Sequence, residues 1–369
     1  MNDARDTLLI LSPGFPANES DTNCLPAQQA LVRSLSRCFP GTAIRIITFQ
    51  YPYRQSQYLW HGIPVTALGG GNRGGLWRLN TWIRAWRAMR KTLRQQPVGG
   101  ILSFWMGECA LTGHFFARRH RIRHASWILG QDARKPNPYL TWFRPQPGSL
   151  VAMSDFLARQ FHAAHGIRPT HIVPNGIDPS LFPTAHVPRN IDILGAGSLI
   201  GLKRFDLFIH VAGELSRQLP GLTVTLCGDG PEKKQLETLA RQQQPAPGIH
   251  FAGELPHSKM PALMQASRLF LHTSSYEGFS GACLEALYAG AHVVSFCRPQ
   301  DAWIRHWHIV DSIEEMIAVC LSLLQDTTLD HTPVLPYHMD DSARQIMEVF
   351  GKSYSSAAST LRAMASNES

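Results

Sequence analysis

Short apolar runs recur along the chain, separated by stretches whose apolar residues repeat every three to four positions. The first kind reads as buried strand and the second as amphipathic helix, and their alternation is the mark of a parallel α/β sheet. In the first half the pattern predicts strands at Thr7–Ser12, Ile44–Phe49, Gly100–Phe104, Ala125–Leu129, Leu150–Met153 and His171–Val173. In the second half they fall at Ile191–Ala196, Leu222–Cys227, Ile249–Phe251, Leu269–His272 and His292–Phe296. Prolines punctuate the chain between Pro174 and Pro188, which sets the expected division into domains at 1–185 and 186–341. A last helical pattern, about 342–364, follows.

The stretch from Ser274 to Gly290 carries the most chemistry. Glu277 and Glu285 flank a Gly/Ser loop, Gly278-Phe279-Ser280-Gly281, that leads from a strand into a helix. The first N–H groups of a helix lack intrahelical partners, and its dipole is positive there, so such a loop suits a phosphate. Carboxylates on either side can accept hydrogen bonds from sugar hydroxyls. A pyrophosphate between two sugars is a nucleotide-sugar. Lys203, Gly228, Leu255 and Glu277 all fall just past predicted strand ends, where doubly wound sheets bind ligands.

The segment resembles the Glu-x7-Glu signature of retaining nucleotide-sugar glycosyltransferases of family 4. Four further stretches are similar to that family in the same order: Val173-Pro174-Asn175-Gly176-Ile177-Asp178, Gly197 to Arg204, Gly228-Asp229-Gly230-Pro231 and Phe251-Ala252-Gly253-Glu254-Leu255. The resemblance covers roughly residues 150 to 295. It implies a GT-B fold, two Rossmann-like α/β domains facing a central cleft, with the donor on the second and the acceptor on the first. It implies that the last helix crosses back onto the first domain. It makes Lys203 a ligand of the donor phosphates, with Arg204 beside it as a second candidate because Ser198 stands where the family carries Arg. It has Glu277 meet the transferred sugar and Glu285 the ribose. Phe279, Ser280 and Gly281 would offer backbone N–H groups to phosphate, Leu255 would contact the base through its backbone, and Gly14 would approach the departing phosphate. Leu129 occupies the position where the family has His. Gln131 or Asp132 is then expected to take over, with Asp132 as base for the acceptor hydroxyl and Arg134 and Lys135 near an anionic acceptor. No protein base is required if the leaving phosphate takes the proton.

Charge sharpens this picture. Residues 1–185 carry a net +13 and residues 186–369 a net −5, which together give the +8 of the 369-residue chain. A basic half points to an anionic partner. The helical pattern Leu79–Arg94 sets Trp82, Trp86, Met89 and Leu93 against Arg84, Arg87, Lys91 and Arg94. A peripheral contact with anionic membrane and an ordinary half-buried crossover helix both account for it. No apolar run approaches the ~20 residues that cross a bilayer. Seven scattered cysteines suit reduced thiols, and the expected location is cytoplasmic, at most at the inner face of the membrane.

His162, His165, His306 and His308 lack the ligand context of a zinc site, and no Asp-x-Asp motif is present, so neither a metal nor another cofactor is expected. Nor is a nucleic-acid partner. A nicotinamide site is disfavoured by Ile200 in place of the third glycine after Gly195-Ala196-Gly197. A nucleophile elbow at Ser280 is disfavoured by Ala282. The expected function is a metal-independent, retaining transfer of sugar from a nucleotide-sugar donor to a saccharide or lipid-linked acceptor, in envelope polysaccharide or glycolipid synthesis. A non-catalytic sugar-nucleotide-binding paralogue of the same fold is the alternative.

Overall fold

The structure is a computed structural model and describes residues 6–134, 137–185, 187–243 and 248–352. Its strands are β1 (Thr7–Gly14), β2 (Ala43–Tyr51), β3 (Ser56–Trp60), β4 (Ile63–Ala67), β5 (Val98–Phe104), β6 (Arg123–Ile128) and β7 (Leu150–Ala152). They continue with β8 (His171–Ile172), β9 (Ile191–Ala196), β10 (Val224–Cys227), β11 (Ile249–Gly253), β12 (Ser267–His272), β13 (His292–Ser295) and β14 (Trp307–Ile309). The first eight form one sheet in the order β3-β4-β2-β1-β5-β6-β7-β8, and the other six form a second in the order β11-β10-β9-β12-β13-β14. Every described pairing is parallel except that of β3 with β4.

The eleven strands expected from apolar runs are present. Three others are not expected from the pattern. The β3–β4 hairpin, Ser56–Ala67, turns through His61 and Gly62, both at positive φ. In its β3, Ser56, Gln57 and Leu59 are exposed, Tyr58 is half-buried and Trp60 is buried, as in an edge strand rather than a buried run. At the far edge of the second sheet, β14 is three residues long, too short to register as a period.

Parallel strands buried on both faces explain the apolar run Leu8–Leu11 of β1 and the full burial of β13. Helices cover those faces. The helix Pro26–Cys38 buries Leu31, Val32 and Leu35, and Phe205–Gln218 buries Phe208, Ile209, Val211 and Leu215. In the helix Leu76–Gln95, Met89 and Ala85 are buried, and Trp82 and Trp86 are half-buried, each packed on the core along part of its ring.

The segment after β14 returns to the first sheet. Ile177 bridges His338, and Met339 N–H donates to Ile177 O at 2.9 Å. The helix Met339–Val349 then packs on Pro26–Cys38, where Arg37 pairs with both Asp178 and Asp340. Phe350 lies over Gly100 of β5. This last helix starts three residues earlier than the pattern suggested, with His338 as its side-chain cap. Residues 353–364 of the expected helix lie outside the described residues.

Gly176 is the tight point of this return, because a Cβ there would sit 2.5 Å from the Met339 backbone. Gly176→Ala is expected to lower the urea midpoint, at unchanged slope, by the equivalent of about 1–3 kcal/mol.

Candidate functional site

Strand ends of the second sheet build one wall of a cleft. After β9, Gly197 adopts φ +150°, and after β10 Gly228 adopts φ +142°. A Cβ on Gly228 would lie 1.9 Å from the Gly197 carbonyl oxygen, so only glycine fits. The two crossings leave a cavity of about 330 Å³, lined by Ser198, Gly228, Leu255, His257, Ala282 and Glu285 among others. Asn23 and Pro26 from the other sheet complete it. Asn23 accepts from His257 N–H at 2.7 Å and donates to Glu254 at 3.1 Å, which ties the two sheets together along this rim.

Glu285 stands on the helix Gly281–Tyr288, one turn in, and its Oε1 lies 2.8 Å from His257 Nε2. Burial works to lower the His257 pKa, but the hydrogen bond and charge of Glu285 outweigh it and hold the ring above its ordinary value. Ser280 caps this helix by accepting from Cys283 N–H at 3.4 Å. Phe279 is buried between Trp307 and Tyr337, which anchors the loop on its apolar side.

Lys203 and Glu277 form an ion pair. The carboxylate also meets His272 Nε2 at 3.4 Å and accepts from Ser274 Oγ at 3.3 Å. Burial opposes its charge, yet the His272 hydrogen bond and the Lys203 ammonium win and bring its pKa down to about 2. The stem of Lys203 lies 3.7 Å from where a Gly197 Cβ would be. Arg204, at positive φ, turns its guanidinium onto Asp206 at the surface, with Nε 3.0 Å and Nη2 3.0 Å from its two carboxylate oxygens.

The opposite wall comes from β6 and the turn after it. Gly130 and Gly278 approach so closely that a Cβ on Gly278 would be 2.8 Å from Gly130 Cα. Tyr276 Oη donates to Gly130 O at 2.9 Å, and Ser154 Oγ donates to Gly278 O at 2.6 Å. Arg134 lies 5.8 Å from the centroid of the Tyr276 ring. Gly14 ends β1 beside Tyr51 and Cys24. Leu129 is buried, so its side chain does not face the cleft; its N–H donates to Asp132 Oδ2 at 2.8 Å. Lys135 lies outside the described residues.

Asp132 and Gln131 line a second cavity, about 400 Å³, with Trp105, Glu108, Arg134 and Tyr139. Burial drives the Asp132 carboxyl up to about 7, against the pull of backbone N–H groups of Leu129 and Met106. Trp105 holds φ +64°, a costly conformation for a bulky residue, in the wall of this cavity.

Of the residues singled out from sequence, Gly228, Leu255 and Glu285 share the first cavity, Lys203 and Glu277 pair close by, and Asp132 lies in the second. Arg204 stands apart. His257, His272, Asn23, Tyr276 and Trp105 were not anticipated. His257 follows Leu255 by two positions and His272 ends β12, so strand-end placement could have flagged both. For Asn23 and Trp105 the sequence holds no such signal.

Histidines 292, 306, 308 and 331 cluster elsewhere, with His292 Nδ1 3.0 Å from His308 Nε2 and burial pushing His308 down to about 4. Among the described residues no group of three or more His, Cys, Asp or Glu is placed to hold a metal ion.

Residues 180–299 match the family described as glycosyl transferases group 1. The chain is 29% identical to glycogen synthase of Mycobacterium tuberculosis over 180 residues, 47% of this chain and 43% of that protein. It is 28% identical to 2-deoxystreptamine N-acetyl-D-glucosaminyltransferase of Niallia circulans over 103 residues, 28% of this chain and 26% of that one. The match thus spans less than half the length of these curated relatives. In structure the chain is similar to Alr3699/HepE of Anabaena, solved with UDP and glucose, at TM-score 0.63 and 16% identity over 98% of this chain and all of that one. Sucrose-phosphate synthase of Thermosynechococcus elongatus gives TM-score 0.63 and 14% identity over 98% and 99%. The fold is GT-B.

The buried carboxyl yields a test of the site's electrostatics. A folded-state pKa above the unfolded one means that folding takes up a proton between pH about 4 and 7, so stability falls as pH rises through that interval. Asp132→Asn should remove this loss: urea denaturation at pH 5 and pH 8 should show the variant gaining on the wild type by about 1–3 kcal/mol at the higher pH.

Proposed function

We propose that this GT-B chain transfers a sugar from a nucleotide-sugar donor to an acceptor hydroxyl with retention of configuration and without a metal ion. One observation carries the reading. A cavity bounded by a capped helix N-terminus and by Glu285 opens at strand ends of the second sheet, beside a lysine–carboxylate pair. The similarity of residues 180–299 to group 1 glycosyl transferases covers the same elements.

In this reading the nucleoside lies against Leu255 and Glu285, and Glu285 exchanges His257 for the ribose hydroxyls. The diphosphate accepts from the N–H groups of Phe279, Ser280 and Gly281. Lys203 swings from Glu277 to the phosphates, which frees Glu277 for hydroxyls of the transferred sugar. The acceptor oxygen attacks the anomeric carbon on the face the phosphate leaves. The C–O bond to phosphate breaks with its electron pair, and the acceptor proton passes to the departing phosphate oxygen. Stabilisation of that growing charge by Lys203 and fixed N–H dipoles is where the rate arises. Asp132, close to neutrality in the adjoining cavity, suits a hydrogen bond to the acceptor hydroxyl and can share its proton. Gly14 and Arg204 contribute less in this reading: Gly14 shapes the floor, and Arg204 stays with Asp206.

The acceptor is a saccharide or a lipid-linked sugar of an envelope polysaccharide or glycolipid, handled at the cytoplasmic face of a membrane. The basic first half of the chain supports that setting. Among the described residues no helix is long and apolar enough to cross a membrane.

A thermal-shift screen of UDP-, GDP-, ADP- and dTDP-sugars with EDTA present tests the donor site. One donor should raise the Tm of the wild type, and Lys203→Ala and Glu285→Ala should each weaken its binding by tenfold or more. No stabilisation by any of them would contradict the reading. Donor binding without slow donor hydrolysis or transfer would favour a non-catalytic nucleotide-sugar-binding protein.

A further inference from the structure

The sequence marked Trp82 and Trp86 as an apolar stripe, and most of that stripe is core. A different apolar surface is left open beside it. Leu76, Trp77, Leu79 and Ile83 on the helix Leu76–Gln95, Phe115 on Glu108–His120, and Trp142 on Tyr139–Trp142 are exposed, Leu76 by 85% and Trp77 by 60%. Where these three helices meet there is a groove of about 410 Å³ lined by Trp82, Ile83, Trp86, Leu111, Phe115 and Trp142. Thr112 is its one hydroxyl-bearing side chain, and that hydroxyl is spent on Glu108 O at 2.7 Å. The groove offers nothing polar to a ligand, which fits hydrocarbon.

The groove adjoins the cavity that holds Asp132. Trp82 forms one side of it, and the Trp82 indole N–H donates at 2.8 Å to Glu108 Oε2, whose residue lines the Asp132 cavity. Trp142 forms another side, with its ring 5.8 Å from Tyr139, which also lines that cavity. A polar chamber and an apolar trough thus lie back to back, joined by the Trp82–Glu108 hydrogen bond and the Trp142–Tyr139 ring contact. Exposed arginines border the trough: Arg78 and Arg87 lie four positions from Trp82 and Ile83 on one helix, and Arg118 lies three from Phe115 on the next. Their charge complements a phosphate or phosphate-linked headgroup.

The geometry points to an amphiphilic acceptor whose hydrocarbon chain lies in this groove and whose sugar or phosphate head occupies the Asp132 cavity. This rests on the reading of that cavity as the acceptor side of a glycosyl transfer, and it narrows the acceptor to the lipid-linked class. Arg134, which lines that cavity, and Arg78, close enough to act on the charge of Tyr139 there, meet the anionic head, and Glu108, held by Trp82 and Gln50, accepts hydrogen bonds from its hydroxyls.

The test is equilibrium binding of n-alkyl phosphates from butyl to dodecyl, kept below their micellar concentrations, with UDP binding measured on the same samples. Affinity should rise about two- to fourfold per methylene until the groove is filled, because burying a CH2 stabilises by about 0.8 kcal/mol. Ile83→Asp and Phe115→Asp should each lower dodecyl phosphate affinity tenfold or more while Tm and UDP binding stay unchanged, since both side chains are over 40% exposed. Trp303→Ser, which removes an exposed indole following the other sheet's β13, should change nothing. Affinity independent of chain length, or equal losses in all three variants, would overturn the proposal. Failure of the donor reading looks different: UDP would not bind, while the chain-length dependence and its loss in the groove variants would remain.

Discussion

The backbone contact between Gly130 and Gly278 governs the rest of this architecture. Gly130 opens the turn after β6 of the first sheet, and Gly278 lies in the loop after β12 of the second. A Cβ on Gly278 would fall 2.8 Å from Gly130 Cα, so Gly278 cannot carry a side chain without parting the two loops, and a Cβ on Gly130 would be tight at 3.2 Å from Gly278 N. The contact is reinforced by hydroxyls from both sides, Tyr276 to Gly130 O and Ser154 to Gly278 O. The bond from Ser154 satisfies the carbonyl of buried Gly278, which would cost about 1–3 kcal/mol if left without a partner. The Lys203–Glu277 pair and the Asp132 turn are brought near one another by this approach.

The ion pair is poised rather than merely stabilising. Glu277 remains charged because His272 and Lys203 together overcome its burial, so a carboxylate and its paired ammonium stand side by side at the strand ends of the second sheet. Asp132 is the complement: the same desolvation, with only backbone N–H groups to oppose it, leaves a carboxyl that titrates near neutrality. The two carboxyls thus carry opposed shifts, one held charged and the other titrating near neutrality, because only Glu277 has charged and hydrogen-bonding partners to offset its burial.

Much of this was legible in the sequence because parallel strands and strand-end loops write themselves plainly. Buried runs such as Leu8–Leu11 and His292–Ser295 announce strands, and Gly228, Ser280 and Glu285 stand at offsets from them that the fold enforces. The edge elements were not legible. The β3–β4 hairpin carries exposed residues on both faces, and β14 is held by its neighbour rather than by its own pattern. Arg204 shows a different limit. Its position next to Lys203 suggested a shared ligand, but a left-handed backbone turns it toward Asp206. His257 and Asn23 pair with residues 28 and 234 positions away in sequence, and no local pattern encodes such a meeting. The open apolar groove likewise arises from three helices that are ordinary one at a time.

The central claim is that Lys203 leaves Glu277 for a diphosphate held at the Gly278–Gly281 loop. A co-crystal structure with the nucleoside diphosphate of the stabilising donor tests it most directly. Phosphate oxygens should lie within hydrogen-bonding distance of Lys203 Nζ and of the N–H groups of Phe279, Ser280 or Gly281, with the ribose hydroxyls on Glu285. A diphosphate bound elsewhere, with the Lys203–Glu277 and His257–Glu285 pairs intact, would contradict it.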